Sequence, residues 1–426
     1  MSRRIAPLFA LIAIPVSLWT QSPGNLQETF LDAEYFFLHG HYADALPYYM
    51  ALYEDNPDNY NLAFRIGACY LNIAGMKNLS ISYLETAVKN MSAIHREGTL
   101  NQKAAPYDAL FDLGRAYRIN YMFDKARETY QRYFETLLPE DKENISFIQN
   151  EIRICESAKE IMANPVSFRE ENVGTIFNTE HADYNPVISA DGKSFAYMIS
   201  MKFYDAIMVS RLTEGKWSQP VNITADLQSD GNHFISSLSS DGRLLFLSKH
   251  DNNNSDIYVS SFDGKKWSKL SKLNRNINTK YWESHGFISE DGNRLIFASD
   301  RPGGFGGLDL YVSYKQNGDW GPPVNLGPGI NTEFNEDRPF LANRGKTLFF
   351  SSQGHQNVGG YDIFRSEQQE NNLWSKPENI GYPLNNPDDN FFFMPVGDGR
   401  SGYYSIHKEF TGYGLEDIYK ITFTGK

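Results

Sequence analysis

A phrase that recurs five times in the C-terminal half constrains the fold more than any other feature. Its turn part reads SADGKSFAY, SSDGRLLFL, SEDGNRLIF, ANRGKTLFF and VGDGRSGYY, with shared glycines at Gly192, Gly242, Gly292, Gly345 and Gly399. The spacings are 50, 50, 53 and 54 residues. A strand part follows each turn, beginning at Asp205, Asp256, Asp309, Asp362 and Asp417 and reading Asp-Ile-Tyr-Val-Ser in its commonest form. A fixed period near 50 with several short strands per period predicts a propeller of four-stranded blades. The Asp-Gly pair suits a tight hairpin turn at positive φ. The Asp that opens each strand part is suited to bonding backbone amides there. The fourth strand of each repeat is expected to begin at Trp217, Trp267, Trp320 and Trp374.

The fifth repeat ends without such a tryptophan. Asn172-Val-Gly followed by Asn178 repeats the form of Asn325-Leu-Gly with Asn331 and Asn379-Ile-Gly with Asn385. Residues about 166–176 are therefore expected to supply the missing outer strand and close a five-bladed ring, removing open sheet edges.

Upstream, residues 26–164 read as helices with paired apolar faces. Three stretches fit a tetratricopeptide pattern, centred on Gly40, Tyr42 and Ala45, on Gly67, Leu71 and Leu84, and on Gly114, Tyr117 and Tyr130. Small residues there let two helices approach, so that hairpins stack into one core. A last helix, about Asp141 to Met162, is expected to cap the stack. The fold class is thus α+β multidomain: an N-terminal α-solenoid over 26–164, then an all-β five-bladed propeller over 166–426.

Residues 1–20 carry Arg3 and Arg4 ahead of a short apolar run from Leu8 to Trp19, the form of a secretory signal peptide. No second apolar stretch follows, so the expectation is a periplasmic protein without a membrane span. The net charge of −12 argues against nucleic acid, which needs a basic surface. The two cysteines, Cys69 and Cys155, read as buried thiols, with a disulfide as the alternative.

Where the five repeats differ, they point at a binding surface. Asp183, His233, Glu283, Glu336 and Asn390 occupy equivalent positions at the start of the innermost strand, and Arg301 lies in a loop on the same side. These six are the candidate partner-binding residues of the propeller mouth. No G-x-S-x-G elbow, HExxH pair or P-loop is present. The turns lack the complete Asp-box form of sialidases. No catalytic, cofactor or metal residue is assigned, and a non-enzymatic role is expected.

The DGK, DGR and DGN turns, Ser299-Asp-Arg-Pro-Gly-Gly and the Asp-Ile-Tyr-Val-Ser strands resemble the TolB-like, WD40-type propeller repeats of Gram-negative periplasmic proteins. With the signal peptide and helical hairpins, the layout is similar to Bacteroidetes periplasmic proteins such as the PorE component of type IX secretion and gliding. That family commonly continues into carboxypeptidase-regulatory-like and OmpA-like domains beyond the propeller. This chain stops where they would begin, so peptidoglycan or outer-membrane association is expected through a partner. The resemblance implies a protein-binding scaffold in the cell envelope. The alternative is a propeller that binds a glycan or peptidoglycan fragment.

Overall fold

The computed structural model describes residues 26–251, 254–370, 373–408 and 410–425. The signal-peptide segment lies outside the described residues.

Seven α-helices precede the first strand among the described residues: α1 (Leu26–Leu38), α2 (Tyr42–Asp55), α3 (Tyr60–Leu71), α4 (Ser80–Ala87), α5 (Asp108–Ile119), α6 (Phe123–Phe134) and α7 (Lys142–Met162). They pack as hairpins, α1 on α2, α3 on α4 and α5 on α6. Close approach depends on two glycines. A Cβ at Gly67 would meet Leu84 Cγ at 2.6 Å, and one at Gly114 would meet the Tyr130 ring at 2.5 Å. Cys69 and Cys155 are both free and buried, and burial pushes each thiol up to about 12.

Helix α7 does more than cap the stack. One face buries Ile148, Cys155 and Ala158 within the helical domain. The other reaches the propeller, where Asn150 Nδ2 donates to Gln353 O and Ser157 Oγ to Asn357 O, both at 2.7 Å. Val358, from the propeller, is buried in the same apolar cluster as Leu113, Tyr130 and Ile148. The expected cap is therefore a joint, because its polar face has acceptors to meet.

The β half is a five-bladed propeller. The innermost strands of blades 1 to 5 are Ala182–Ile188, His233–Leu238, Glu283–Ile288, Glu336–Ala342 and Met394–Val396. Each blade runs antiparallel from this strand outward. The ring closes where Phe168–Asn172 pairs with Asp417–Phe423, in register from Phe168↔Phe423 to Asn172↔Tyr419. Val173 N donates to Ile418 O at 3.2 Å, continuing that seam. The turn glycines Gly192, Gly242, Gly292, Gly345 and Gly399 all have positive φ, from 64° to 84°.

The tryptophans sit earlier than expected. Trp217 and Trp320 pair with the end of the third strand, at Leu212 and Lys315. Trp267 and Trp374 make single bridges there. The outer strands come later, at Val221–Asn222, Ser271–Lys272, Val324–Asn325 and Glu378–Asn379. In three blades a proline separates tryptophan from outer strand (Pro220, Pro322, Pro377). A proline has no N–H for the ladder, so pairing must restart beyond it.

Candidate functional site

Four of the five equivalent positions near the start of the innermost strands do not line the channel; Asn390 alone does. Asp183, Glu283 and Glu336 are wholly buried, and His233 nearly so. Each instead ties down the loop leading into its own blade. Thr179 donates N–H and Oγ1 to Asp183 at 2.6 and 3.0 Å. Thr279 does the same to Glu283 at 2.8 and 2.7 Å, and Thr332 to Glu336 at 2.7 Å through both groups. In blade 2, Ser229 Oγ and His233 Nδ1 lie 2.9 Å apart; in blade 5, Asn386 N–H donates to Asn390 Oδ1 at 2.8 Å. The chemistry varies but the task is the same. Burial pushes Asp183 and Glu336 up to about 7 and raises Glu283, against the lowering effect of the threonine bonds.

Arg301 is likewise internal to blade 3. It donates to Asn276 O and Ile277 O at 3.1 and 2.6 Å, and to Glu283 Oε1 at 3.2 Å. Its guanidinium lies over Phe297 and Tyr311. Of the six candidates, only Asn390 lines the mouth cavity.

The surface that does line it begins one and two residues further along. A cavity of about 390 Å³ is bounded by Tyr184, Asn185, Phe234, His285, Arg338 and Phe391, among others, with His250, Asp389 and Glu416 at its sides. The innermost strands slip register at this level, between Tyr184 and Val187, Ser284 and Phe287, and Asp337 and Phe340. At each slip a non-glycine residue adopts the left-handed region: Asn185 (φ 49°), His285 (46°) and Arg338 (50°). A bulge re-aims a side chain that strict alternation would bury. Asparagine tolerates this conformation, whereas for histidine and arginine it costs about 1–2 kcal/mol each.

The slip left a readable mark. Each left-handed residue precedes a proline or glycine, in Asn185-Pro186, His285-Gly286 and Arg338-Pro339. Such residues inside a strand pattern signal a bulge.

Charge in the cavity is partly internal. Asp337 accepts from Ser284 Oγ at 3.1 Å and from Arg338 N–H at 2.8 Å, with His285 Nδ1 at 3.0 Å. Burial favours the neutral carboxyl, but His285 and Arg338 outweigh it and hold Asp337 at about 2. His250 packs between Phe234 and Trp282, with ring centroids at 5.1 and 4.8 Å. Burial, aided by His285, lowers it to about 4. The Arg338 guanidinium lies 4.5 Å from the Phe391 ring centroid.

Outside the cavity, two neighbouring loops present apolar side chains to solvent. Blade 1 contributes Phe203, 86% exposed, with Met201 and Tyr204; blade 5 contributes Phe410, 89% exposed, with Tyr413 and Leu415. Backbone bonds join the two blades here, Leu415 N to His181 O at 3.1 Å and Asp183 N to Glu416 O at 2.9 Å. The helical domain covers the other side of the same face. Lys77 pairs with Asp388, Arg115 with Asp389 at 3.5 Å, and Arg118 donates to Pro387 O.

Among the described residues, no group of three or more His, Cys, Asp or Glu side chains could hold a metal ion, and no helix is long and apolar enough to cross a membrane.

These features define the class: a five-bladed β-propeller bearing an N-terminal domain of helical hairpins. No family model matches the chain, and no curated protein does. Solved structures similar to it include TolB from Acinetobacter baumannii, at 17% identity and a TM-score of 0.37 over 59% of this chain and 56% of that one. The match thus spans little more than half of that TolB's length. The catalytic domain of a GH62 α-L-arabinofuranosidase from Coprinopsis cinerea aligns at 11% identity and 0.39, over 61% of this chain and 98% of that one. An endo-arabinase from Bacteroides thetaiotaomicron gives 15% and 0.37, over 59% and 98%. Likenesses at this level leave function to the site itself.

Proposed function

We propose that this chain is an exported, non-catalytic scaffold that binds protein partners in the cell envelope through the mouth of its propeller. The observation that carries the reading is the set of exposed apolar side chains beside the cavity, Phe203, Phe410, Tyr413 and Leu415. Clustered exposed aromatics around a concave centre are characteristic of protein interfaces. The rigid ring holds these loops in place, and the helical hairpins offer a second surface of the tetratricopeptide-like kind. In this reading the chain is a TolB-like periplasmic subunit or accessory of an envelope assembly such as type IX secretion, with any peptidoglycan or outer-membrane association made through a partner.

Affinity capture after in-cell crosslinking tests it. The expected result is recovery of a defined envelope protein by the wild type and its loss with the double variant Phe203→Ser, Phe410→Ser. Recovery of a glycan in place of protein would overturn the reading in favour of a sugar-binding propeller.

A further inference from the structure

Arg338 is an unusual residue to find at the axis of an acidic protein. The chain carries a net charge of −12, yet its central cavity is lined by a guanidinium that forms none of the ion pairs seen among the described residues. Its Nε is buried without a hydrogen-bond partner among the described residues. Burial disfavours the charged guanidinium and outweighs the attraction of Asp337 and Glu416, so its pKa is lowered. The left-handed backbone that aims it inward at φ 50° is also unfavourable. Part of its charge serves blade 4 itself, where with His285 it holds Asp337 ionised. The ring of Phe391 supports the guanidinium from one side.

The surrounding groups sharpen the character of the space. His250 lines the same cavity, and its buried Nε2 also lacks a hydrogen-bond partner among the described residues. Asp337, its neighbour in sequence, attracts the Arg338 guanidinium, but that carboxylate also accepts from Ser284 and from the N–H of Arg338 itself and lies against His285. Two further acids share the lining. Asp389 accepts from Tyr361 N–H at 3.1 Å and pairs with Arg115 of α5. Burial pushes the carboxyl of Glu416 up, toward its neutral form. The remaining lining mixes apolar side chains, Phe234, Ile363, Leu384 and Phe392, with the polar Asn185, Asn390 and Ser405.

We propose that the propeller cavity is a carboxylate-binding site, and that its ligand is the free C-terminal carboxylate of a partner polypeptide. The planar fork of arginine matches a carboxylate through two parallel N–H···O bonds. His250 is placed to add a third donor. The cavity volume of about 390 Å³ suits one terminal residue, with its side chain against the apolar walls. A chain leaving the cavity toward blades 1 and 5 meets the exposed aromatics of the rim, which is why a polypeptide fits better than a free sugar acid. The inference rests on the reading that the mouth takes a protein partner, and adds which end of that partner enters.

The test uses the full chain and three small probes: N-acetylphenylalanine, its C-terminal amide, and glucuronate, titrated by ligand-observed NMR. Binding of the acid, with the amide about tenfold weaker, is expected from loss of one charge-assisted contact. Arg338→Asn, chosen because asparagine tolerates the left-handed region, should weaken the acid by a similar factor while leaving the amide unchanged. His250→Phe, on a different strand, should weaken the acid several-fold. Equal binding of acid and amide by the wild type, or no binding of either, would overturn the proposal whatever the variants do. Glucuronate binding more tightly than N-acetylphenylalanine would overturn the assignment to a polypeptide. Crosslinked capture separates the two readings. A partner retained by Arg338→Asn but lost with Phe203→Ser, Phe410→Ser leaves the mouth as the docking surface and refutes the carboxylate.

Discussion

Blades 3 to 5 and blades 1 and 2 share one sheet plan and differ in one loop. Between the second and third strands, blade 1 has four residues, 201–204, whereas blades 3 and 4 have nine, 300–308 and 353–361, and blade 5 has ten, 407–416. The longer loops fold onto the Asp that opens the third strand. Asp309 accepts from the N–H groups of Phe305 and Gly306, Asp362 from Val358 and Gly359, and Asp417 from Tyr413 and Gly414. An outer-strand asparagine completes each knot: Asn325, Asn379 and Asn172. In the short-loop blades the equivalent Asp256 pairs with Lys272 at 2.5 Å, and burial raises Asp205 near Tyr184 and Ser200.

The difference decides what each region can hold. Two knotted loops, in blades 4 and 5, meet the helical domain: Val358 enters its core, and a Cβ on Gly75 would lie 2.7 Å from His407 Nε2. The short loop of blade 1 leaves Phe203 and Tyr204 in solvent, and the far part of the blade 5 loop does the same with Phe410, Tyr413 and Leu415. One side of the face is thus spent on the internal joint, and the other is open to a partner.

The largest expected effect breaks the joint. Arg118 is buried, pairs with Glu151 at 3.2 Å and donates to Pro387 O. Arg118→Met leaves the Glu151 charge uncompensated, so a loss of about 3–5 kcal/mol is expected. Thermal unfolding should show it, with the helical transition separating from that of the propeller. A next, smaller effect sharpens the contrast between loops. Asp362→Ala orphans two buried N–H groups and is expected to destabilise by about 2–3 kcal/mol. Asp256→Ala removes a bond to a half-exposed lysine and should cost about 1 kcal/mol or less. Equal shifts in the urea midpoint of the two variants would remove the distinction between the blades.

A further effect is in pH. Burial holds Asp183, Glu336 and Asp362 at about 7 in the folded chain. Unfolded carboxyls release their protons near pH 4. Between pH 4 and 7 the folded chain therefore binds protons that the unfolded chain has lost, and stability from these groups falls as pH rises. Asp337, held at about 2, acts oppositely and only in acid, losing its contribution as pH falls below 4. The melting temperature should be higher at pH 5 than at pH 8, and Glu336→Gln should reduce that difference.

Much of the ring was legible because repetition carries it. The glycine spacing implied five blades, and the Asn-x-Gly echo at Asn172 located the closing strand. The site was legible only to within two residues. Equivalent positions at the start of the innermost strand placed Asp183, Glu283 and Glu336 at the mouth, but the bulge that follows turns the residue two further along toward the axis. Asn185-Pro186, His285-Gly286 and Arg338-Pro339 held that information in the punctuation of the strand rather than its polarity. Where the helical domain lands was not legible at all. It depends on Lys77, Arg115 and Arg118 meeting residues 387–389, a pairing across some 300 positions that no local pattern encodes.

The most direct test of the open face is site-specific photocrosslinking from two exposed positions on the propeller. A photoreactive residue at Phe203, beside the mouth, should yield a crosslink to an envelope protein, and one at Val324, on the outer strand of blade 3, should not. A partner joined from Val324 and absent from Phe203 would contradict the account.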